Sequence, residues 1–154
     1  MSAATESPAT YNEMLGKFIV SRVSRKRKSV RLASPVVFSR AIRLGVSGSV
    51  LTKVVEHVPK RVVVTALNAD STNFSKLVNR KHLTRAQTDD LIDLVNLWAE
   101  LREFFNDEES LVIEWLDMPI PALDGASPAE LVGTQYGRDV IRERLDEMRY
   151  GEFA

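Results

Sequence analysis

Apolar positions recur at helical spacing along most of the chain, in runs that are opened by cap residues or proline and closed by glycine or asparagine. Ser7-Pro8 can start a short helix after a polar terminus. Ser34-Pro35 is an N-cap and first-position pair; Phe38, Ala41, Ile42 and Leu44 follow, and Gly45 closes the segment. Residues 47–57 carry Val50, Leu51, Val54 and Val55 on one face, and Pro59 opens a further helix through Val62, Val63, Ala66 and Leu67. The β-branched run at 62–65 also suits a strand. A helix is preferred, because no hairpin signal flanks the run and a lone strand would leave its edges unpaired.

Asn68-Ala69-Asp70 then reads as a tight turn, with Asn68 tolerating positive φ and Asp70 or Ser71 capping a helix whose inward face is Phe74 and Leu77. Its outward residues are polar and hydrogen-bonding. A helix, a three-residue turn and a second polar helix make the layout of a helix-turn-helix. Thr84 and Gln87 form a capping box for the longest helix, with Leu91, Leu94, Val95, Trp98, Leu101 and Phe105 on one face and Asp89, Asp90, Asp93, Glu100 and Glu103 on the other. After a break at Asn106-Asp107, a short helix turns Leu111, Val112, Trp115 and Leu116 inward. Residues 118–121 are extended, Asp124-Gly125 turns the chain, and Ser127-Pro128-Ala129-Glu130 starts a helix through Leu131 and Val132. The last helix runs from about 134 to 150, with Tyr136, Val140, Ile141, Leu145 and Met148 inward and Gly151 as its stop. The fold class expected is all-α.

Charge changes the picture. The net charge is +0, yet residues 1–85 hold 16 basic and 4 acidic side chains and residues 86–154 hold 5 and 17. One half should attract polyanions and the other basic surfaces, which implies two partners. The alternative is that the halves neutralise each other across an internal interface. The densest basic cluster, Arg22 with Arg25, Lys26, Arg27, Lys28 and Arg31, is either a solvated linker or an arm along a nucleic-acid backbone. Residues 1–33 are therefore expected to be a flexible basic segment, 34–83 a helix-turn-helix domain, and 84–154 a connecting helix and a C-terminal binding domain.

Chemical candidates are few. His57 and His82 are the only imidazoles, Cys is absent, and neither His has a carboxylate at ligand spacing, so neither a metal nor another cofactor is expected. Both are expected at the surface or at helix ends. Carboxylate pairs such as Asp89/Asp93 and Glu143/Glu147 suit an exposed acidic helix face better than acid–base catalysis. No Ser has a His–Asp partnership, and no Gly-rich loop follows a strand, so no catalytic residue is expected and an enzyme is disfavoured. No apolar run approaches the roughly 20 residues of a membrane helix. The absence of Cys and of a secretory leader points to the cytoplasm.

The C-terminal residues carry a resemblance. Leu83-Thr84, Gln87-Thr88-Asp89, Glu114-Trp115-Leu116, Pro119, Ala122-Leu123-Asp124-Gly125, Ser127-Pro128, Leu131, Tyr136-Gly137, Val140, Leu145 and Tyr150-Gly151-Glu152-Phe153-Ala154 form an ordered set that resembles the toxin-binding domain of Xre/MbcA/ParS-type antitoxins. It covers roughly the last 70 residues, and the preceding helix-turn-helix is similar in placement to the Xre-like domain of that family. The resemblance implies an antitoxin that blocks a RES-domain, NAD-degrading toxin and represses its own operon. Where the family often shows a Ser and an Arg-Thr-Leu run in the recognition helix, this chain has residues 70–76 as DSTNFSK.

The expected toxin contacts are Trp115, Pro119, Leu123, Gly125, Tyr150, Gly151, Glu152, Phe153 and Ala154, with Trp115 and Leu123 also expected to hold the domain together. The expected contacts to operator DNA are Ser71, Thr72, Asn73, Ser75, Lys76, Asn79, Arg80 and Lys81, with Arg25, Lys26, Arg27 and Lys28 as an arm. A homodimer within a larger toxin–antitoxin assembly is the expected form. The competing expectation is a stand-alone helix-turn-helix repressor whose acidic half serves dimerisation.

Overall fold

A computed structural model of the chain describes residues 7–24 and 34–151. The described residues contain eight α-helices and no strand: α1 (Pro8–Val23), α2 (Pro35–Leu44), α3 (Val50–Val54), α4 (Lys60–Ala66), α5 (Ser71–Val78), α6 (Arg85–Phe104), α7 (Glu109–Asp117) and α8 (Gln135–Tyr150). Single turns of 3-10 helix at Pro121–Leu123 and Pro128–Leu131 join α7 to α8. The run at 62–65 is helical, inside α4.

The caps explain most boundaries. Ser34, Asp70, Thr84 and Thr134 each accept a hydrogen bond from a backbone N–H three residues on, satisfying groups that the first turn leaves free. Positive φ at Asn68, Asn106, Asp107 and Asp124 marks the turns, and Gly151 ends α8 at φ 66°. The segment at 47–57 is helical only over Val50–Val54, and the one begun at Ser127 stays a single 3-10 turn despite its capping box to Glu130.

Helix α6 is the axis of the molecule. It packs against α1, α2 and α4 on one side and against α7 and α8 on the other. It therefore buries Ile92 and Leu97 as well as Leu91, Leu94, Val95, Trp98 and Leu101, a wider face than its heptad-like stripe suggests. One continuous core joins the two sides.

Residues 8–23 correct the expectation of a flexible basic segment. Ser7 caps α1, Pro8 occupies its first turn, and Leu15, Phe18, Ile19 and Val23 are buried against α2, α3 and α6. The basic run that follows masks this amphipathic stripe when residues 1–33 are read as one unit. Phe18 meets Phe38 of α2 edge-on at 5.2 Å. The guanidinium of Arg102, itself buried, donates to the Val23 carbonyl at 2.6 Å and so places a cation at the C-terminal end of α1. The expected arm, Arg25, Lys26, Arg27 and Lys28, lies outside the described residues.

Candidate functional site

Two regions carry the residues singled out from the sequence. In the first, α4 and α5 pack against each other through Val63, Leu67, Phe74 and Leu77, all buried, around the turn at Asn68 (φ 51°). Ser71, Thr72, Asn73, Ser75, Lys76, Asn79, Arg80 and Lys81 are all exposed, so this face is available to a partner. Some of its polar groups are already engaged. The Asp70 carboxylate accepts from the Asn73 backbone N–H at 2.8 Å, the Thr72 hydroxyl at 2.7 Å and the Asn73 amide at 3.3 Å. The Thr72 hydroxyl, followed by the Asn73 N–H, holds this carboxyl below its ordinary value. Asn79 donates back to the Ser75 carbonyl at 3.0 Å.

This region is tied to the segment that leads into α6 by backbone bonds, and to α6 itself through Thr88. Gly48 N–H donates to the Arg80 carbonyl at 2.9 Å and Leu83 N–H to the Val46 carbonyl at 2.8 Å. The buried Thr88 hydroxyl accepts from Val46 N–H at 3.2 Å. Gly45 is required here: at φ 83°, a Cβ would stand 1.9 Å from the Leu83 carbonyl oxygen. His82 is half-buried in this junction, with Nδ1 3.1 Å from the Gly45 carbonyl. His57 stands at the end of α3, 4.0 Å from Glu109. No group of three or more His, Asp or Glu side chains among the described residues is arranged to hold a metal ion.

The second region is built on an ion-pair cluster that sequence reading missed. Arg138 of α8 is fully buried. It donates to Asp90 at 2.7 Å, to Asp93 at 2.6 Å and to the Val132 carbonyl at 2.8 Å. Arg142 reaches Asp93 and Glu100, each at 2.9 Å, and Asp139 at 3.0 Å. Burial alone would raise the Asp93 carboxyl, but hydrogen bonds and charge from Arg142 and Arg138 outweigh it and hold the group below its ordinary value. Opposite causes raise Arg142: burial disfavours its charge, and Asp93 and Glu100 more than restore it.

Part of the acidic face expected to meet solvent on α6 is therefore turned toward α8. The only sequence signal for this was the i, i+4 pair Arg138/Arg142 matching Asp93 and Glu100 on another helix. Gly137 permits the approach that seats Arg138, since a Cβ there would stand 1.9 Å from the Leu131 carbonyl oxygen.

The expected contact residues of this half divide. Trp115 is 8% exposed and packs 6.0 Å from the Phe105 ring, so it belongs to the core and not to a contact surface. Leu123 is half-buried against that core. Pro119, Gly125, Tyr150 and Gly151 are exposed, and Glu152, Phe153 and Ala154 lie outside the described residues. Two side chains expected inward point out: Tyr136 is 80% exposed and Leu111 39%. Tyr136 sits in the first turn of α8, where the chain has only begun to approach α6, and its neighbours Gly137 and Arg138 take the inward positions. With Tyr150 at 78% and exposed Asp139, Glu143 and Asp146 between them, α8 presents an aromatic and acidic outer face. Leu111, Ile113 and Met118 add exposed apolar groups on α7 and just beyond it.

Among the described residues, Arg61–Asp117 at 2.7 Å and His57–Glu109 at 4.0 Å are ion contacts that cross between the halves. No helix of the described residues is long and apolar enough to cross a membrane.

Comparison with known proteins bears on the C-terminal part of the chain. Residues 100–151 match the model of the antitoxin Xre/MbcA/ParS C-terminal toxin-binding domain. The chain is also similar to the Prs ADP-ribosylating antitoxin of Sphingobium sp. (strain YBL2), with 28% identity over 138 residues that cover 82% of this chain and 87% of the relative. The match begins within α6 and ends at Gly151, so it spans α7, both 3-10 turns and all of α8. The all-helical fold, the match to this C-terminal domain and the similarity to the Sphingobium protein together support an antitoxin of the Xre/MbcA/ParS type.

Proposed function

We propose that this antitoxin neutralises a RES-type, NAD-degrading toxin through its C-terminal half and binds its own operator DNA through α4 and α5, with no catalysis of its own. The observation that carries the first part is the toxin-binding match over residues 100–151, whose α8 presents the Tyr136–Tyr150 face to solvent. An enzyme that grips a dinucleotide pyrophosphate needs basic groups around its pocket, and this face is acidic and aromatic. The name of the Sphingobium relative refers to ADP-ribosylation, which breaks the same nicotinamide–ribose bond of NAD that NAD degradation breaks. The operator-binding part is supported by the exposed polar face of α5 and by its packing on α4 across a short turn. A homodimer within a larger toxin–antitoxin assembly is part of this reading.

The residues after Gly151 are proposed to obstruct the dinucleotide site of the toxin, Glu152 supplying negative charge in place of the phosphates of NAD and Phe153 a flat ring in place of a nucleotide ring. The test uses the co-purified complex with the toxin encoded beside this gene. Substituting both Tyr136 and Tyr150 by Ala should weaken assembly of the complex. Deleting Glu152 to Ala154 should leave it assembled yet restore NAD consumption. Full inhibition after the deletion would refute the plug while leaving the docking face standing. Unchanged assembly of the double Ala variant would refute the docking face, and failure of the wild-type pair to associate would favour a stand-alone repressor.

A further inference from the structure

The basic side chains differ in whether the chain itself supplies them with an anion. Arg102, Arg138, Arg142, Arg144 and Arg149, in the acidic half, all have carboxylate partners inside the chain. By contrast, Arg43, Arg80, Lys81 and Arg85 are exposed, and none has a carboxylate within 4.0 Å among the described residues. These four come from three places: the last turn of α2, the connection just past the C-cap of α5 and the first residue of α6.

The junction at Gly45 brings them together. Arg43 is two residues from Gly45 and Arg85 two residues from Leu83, and Gly45 lies directly against the Leu83 carbonyl. Arg80 accepts the Gly48 N–H through its own carbonyl. Each of the four is therefore within about two Cα steps, roughly 8 Å of chain, of one backbone contact zone. That zone is rigid, being fixed by Gly48–Arg80, Leu83–Val46 and Val46–Thr88 hydrogen bonds.

We propose that Arg43 and Arg85 belong to a phosphate-binding patch that extends the DNA surface past the end of α5, where Arg80 and Lys81 already lead. This rests on the operator-binding reading and adds two residues outside the helix-turn-helix itself. Exposed cations with no anion of their own are neutralised from outside, and a nucleic-acid backbone supplies anions in a row at the edge of the α5 face. The patch takes phosphate and reads no base: guanidinium groups on a fixed frame position the duplex, while Asn73 and its neighbours face the base edges. Among the described residues, Leu44, 42% exposed, is the one exposed large apolar side chain in these segments, too little for insertion into a lipid surface.

The test compares the full-length protein with three variants: Arg43→Gln/Arg85→Gln, Arg43→Lys/Arg85→Lys, and Asn73→Ala. Probes are a duplex of the sequence directly upstream of its reading frame, a random duplex of equal length, and phosphatidylserine vesicles. The Gln pair should lose affinity for both duplexes alike and reduce the salt slope by about 2, since each lost phosphate contact removes about 0.9. The Lys pair should keep the slope, and Asn73→Ala should weaken the upstream duplex selectively. An unchanged slope in the Gln pair, with Asn73→Ala impaired, overturns the patch and leaves the operator reading intact. No duplex binding by the wild type overturns both, and vesicle binding that needs Arg43 and Arg85 without duplex binding assigns the patch to lipid instead.

Discussion

The region from α2 to α5 and the region from α6 to α8 solve the same packing problem by different means. The first is closed at the entry to α6 by the Gly48–Arg80 and Leu83–Val46 backbone hydrogen bonds and by Val46 N–H donating to the Thr88 hydroxyl of α6, and leaves Arg43, Arg80 and Lys81 in solvent. The second fastens α8 to α6 with side-chain charge: Arg138 and Arg142 are spent on Asp90, Asp93 and Glu100. A charged residue in this chain thus cannot be assigned to a partner by its sign. Arg138 and Arg142 in the acidic half are structural, whereas the arginines at the α2–α5–α6 junction remain available.

The comparison breaks most visibly at Arg138. Arg138→Ala removes a fully buried guanidinium and strands Asp90, so it should cost about 3–5 kcal/mol, measured by urea unfolding. Arg43→Ala, the same chemical change in the other region, should stay within about 0.5 kcal/mol of wild type. Equal effects at the two positions would erase the distinction drawn here.

A smaller loss is expected from Thr88→Val, which leaves the buried Val46 N–H without an acceptor. It should cost about 1–3 kcal/mol and speed hydrogen exchange at Val46. Unchanged exchange would mean that the Thr88 hydroxyl does not hold Val46 at the junction.

The smallest effect is in acid and concerns the second region alone. The Asp93 carboxyl is lower in the folded chain than its ordinary value of 3.8, so the unfolded chain binds more protons in that window. Its contribution is fully present above about pH 4 and is lost as the pH falls below 3.8. Stability measured from pH 6 down to 3 should fall less steeply in Asp93→Asn than in wild type, although the variant starts lower. A parallel fall would place the acid sensitivity elsewhere.

Much of this was legible in the residues themselves. Caps, prolines and positive-φ residues mark helix ends through local chemistry that needs no tertiary partner, and Ser34, Asp70, Thr84, Thr134 and Gly151 lie where that chemistry puts them. Buried stripes on α5 and α6 followed from periodicity for the same reason. The ordered C-terminal motif likewise pointed to the antitoxin family. What the sequence by itself determined, then, is whatever a helix decides within one or two turns, together with the motif that those turns display.

Tertiary structure decided which charged and aromatic side chains are left over. Arg138 and Tyr136 stand two positions apart in one polar stretch, yet one is fully buried and the other 80% exposed. Periodicity placed Tyr136 inward because an apolar ring was taken to seek the core. Only the approach of α6, with Asp90 and Asp93 facing α8, makes the inward position at 138 cheaper for a cation than for a ring. Likewise, α1 became part of the core because α2, α3 and α6 meet its Leu15, Phe18 and Ile19. The physical reason is common to these cases: burying a charge or an apolar stripe is favourable only when its partner is present, and that partner lies tens of residues away along the chain.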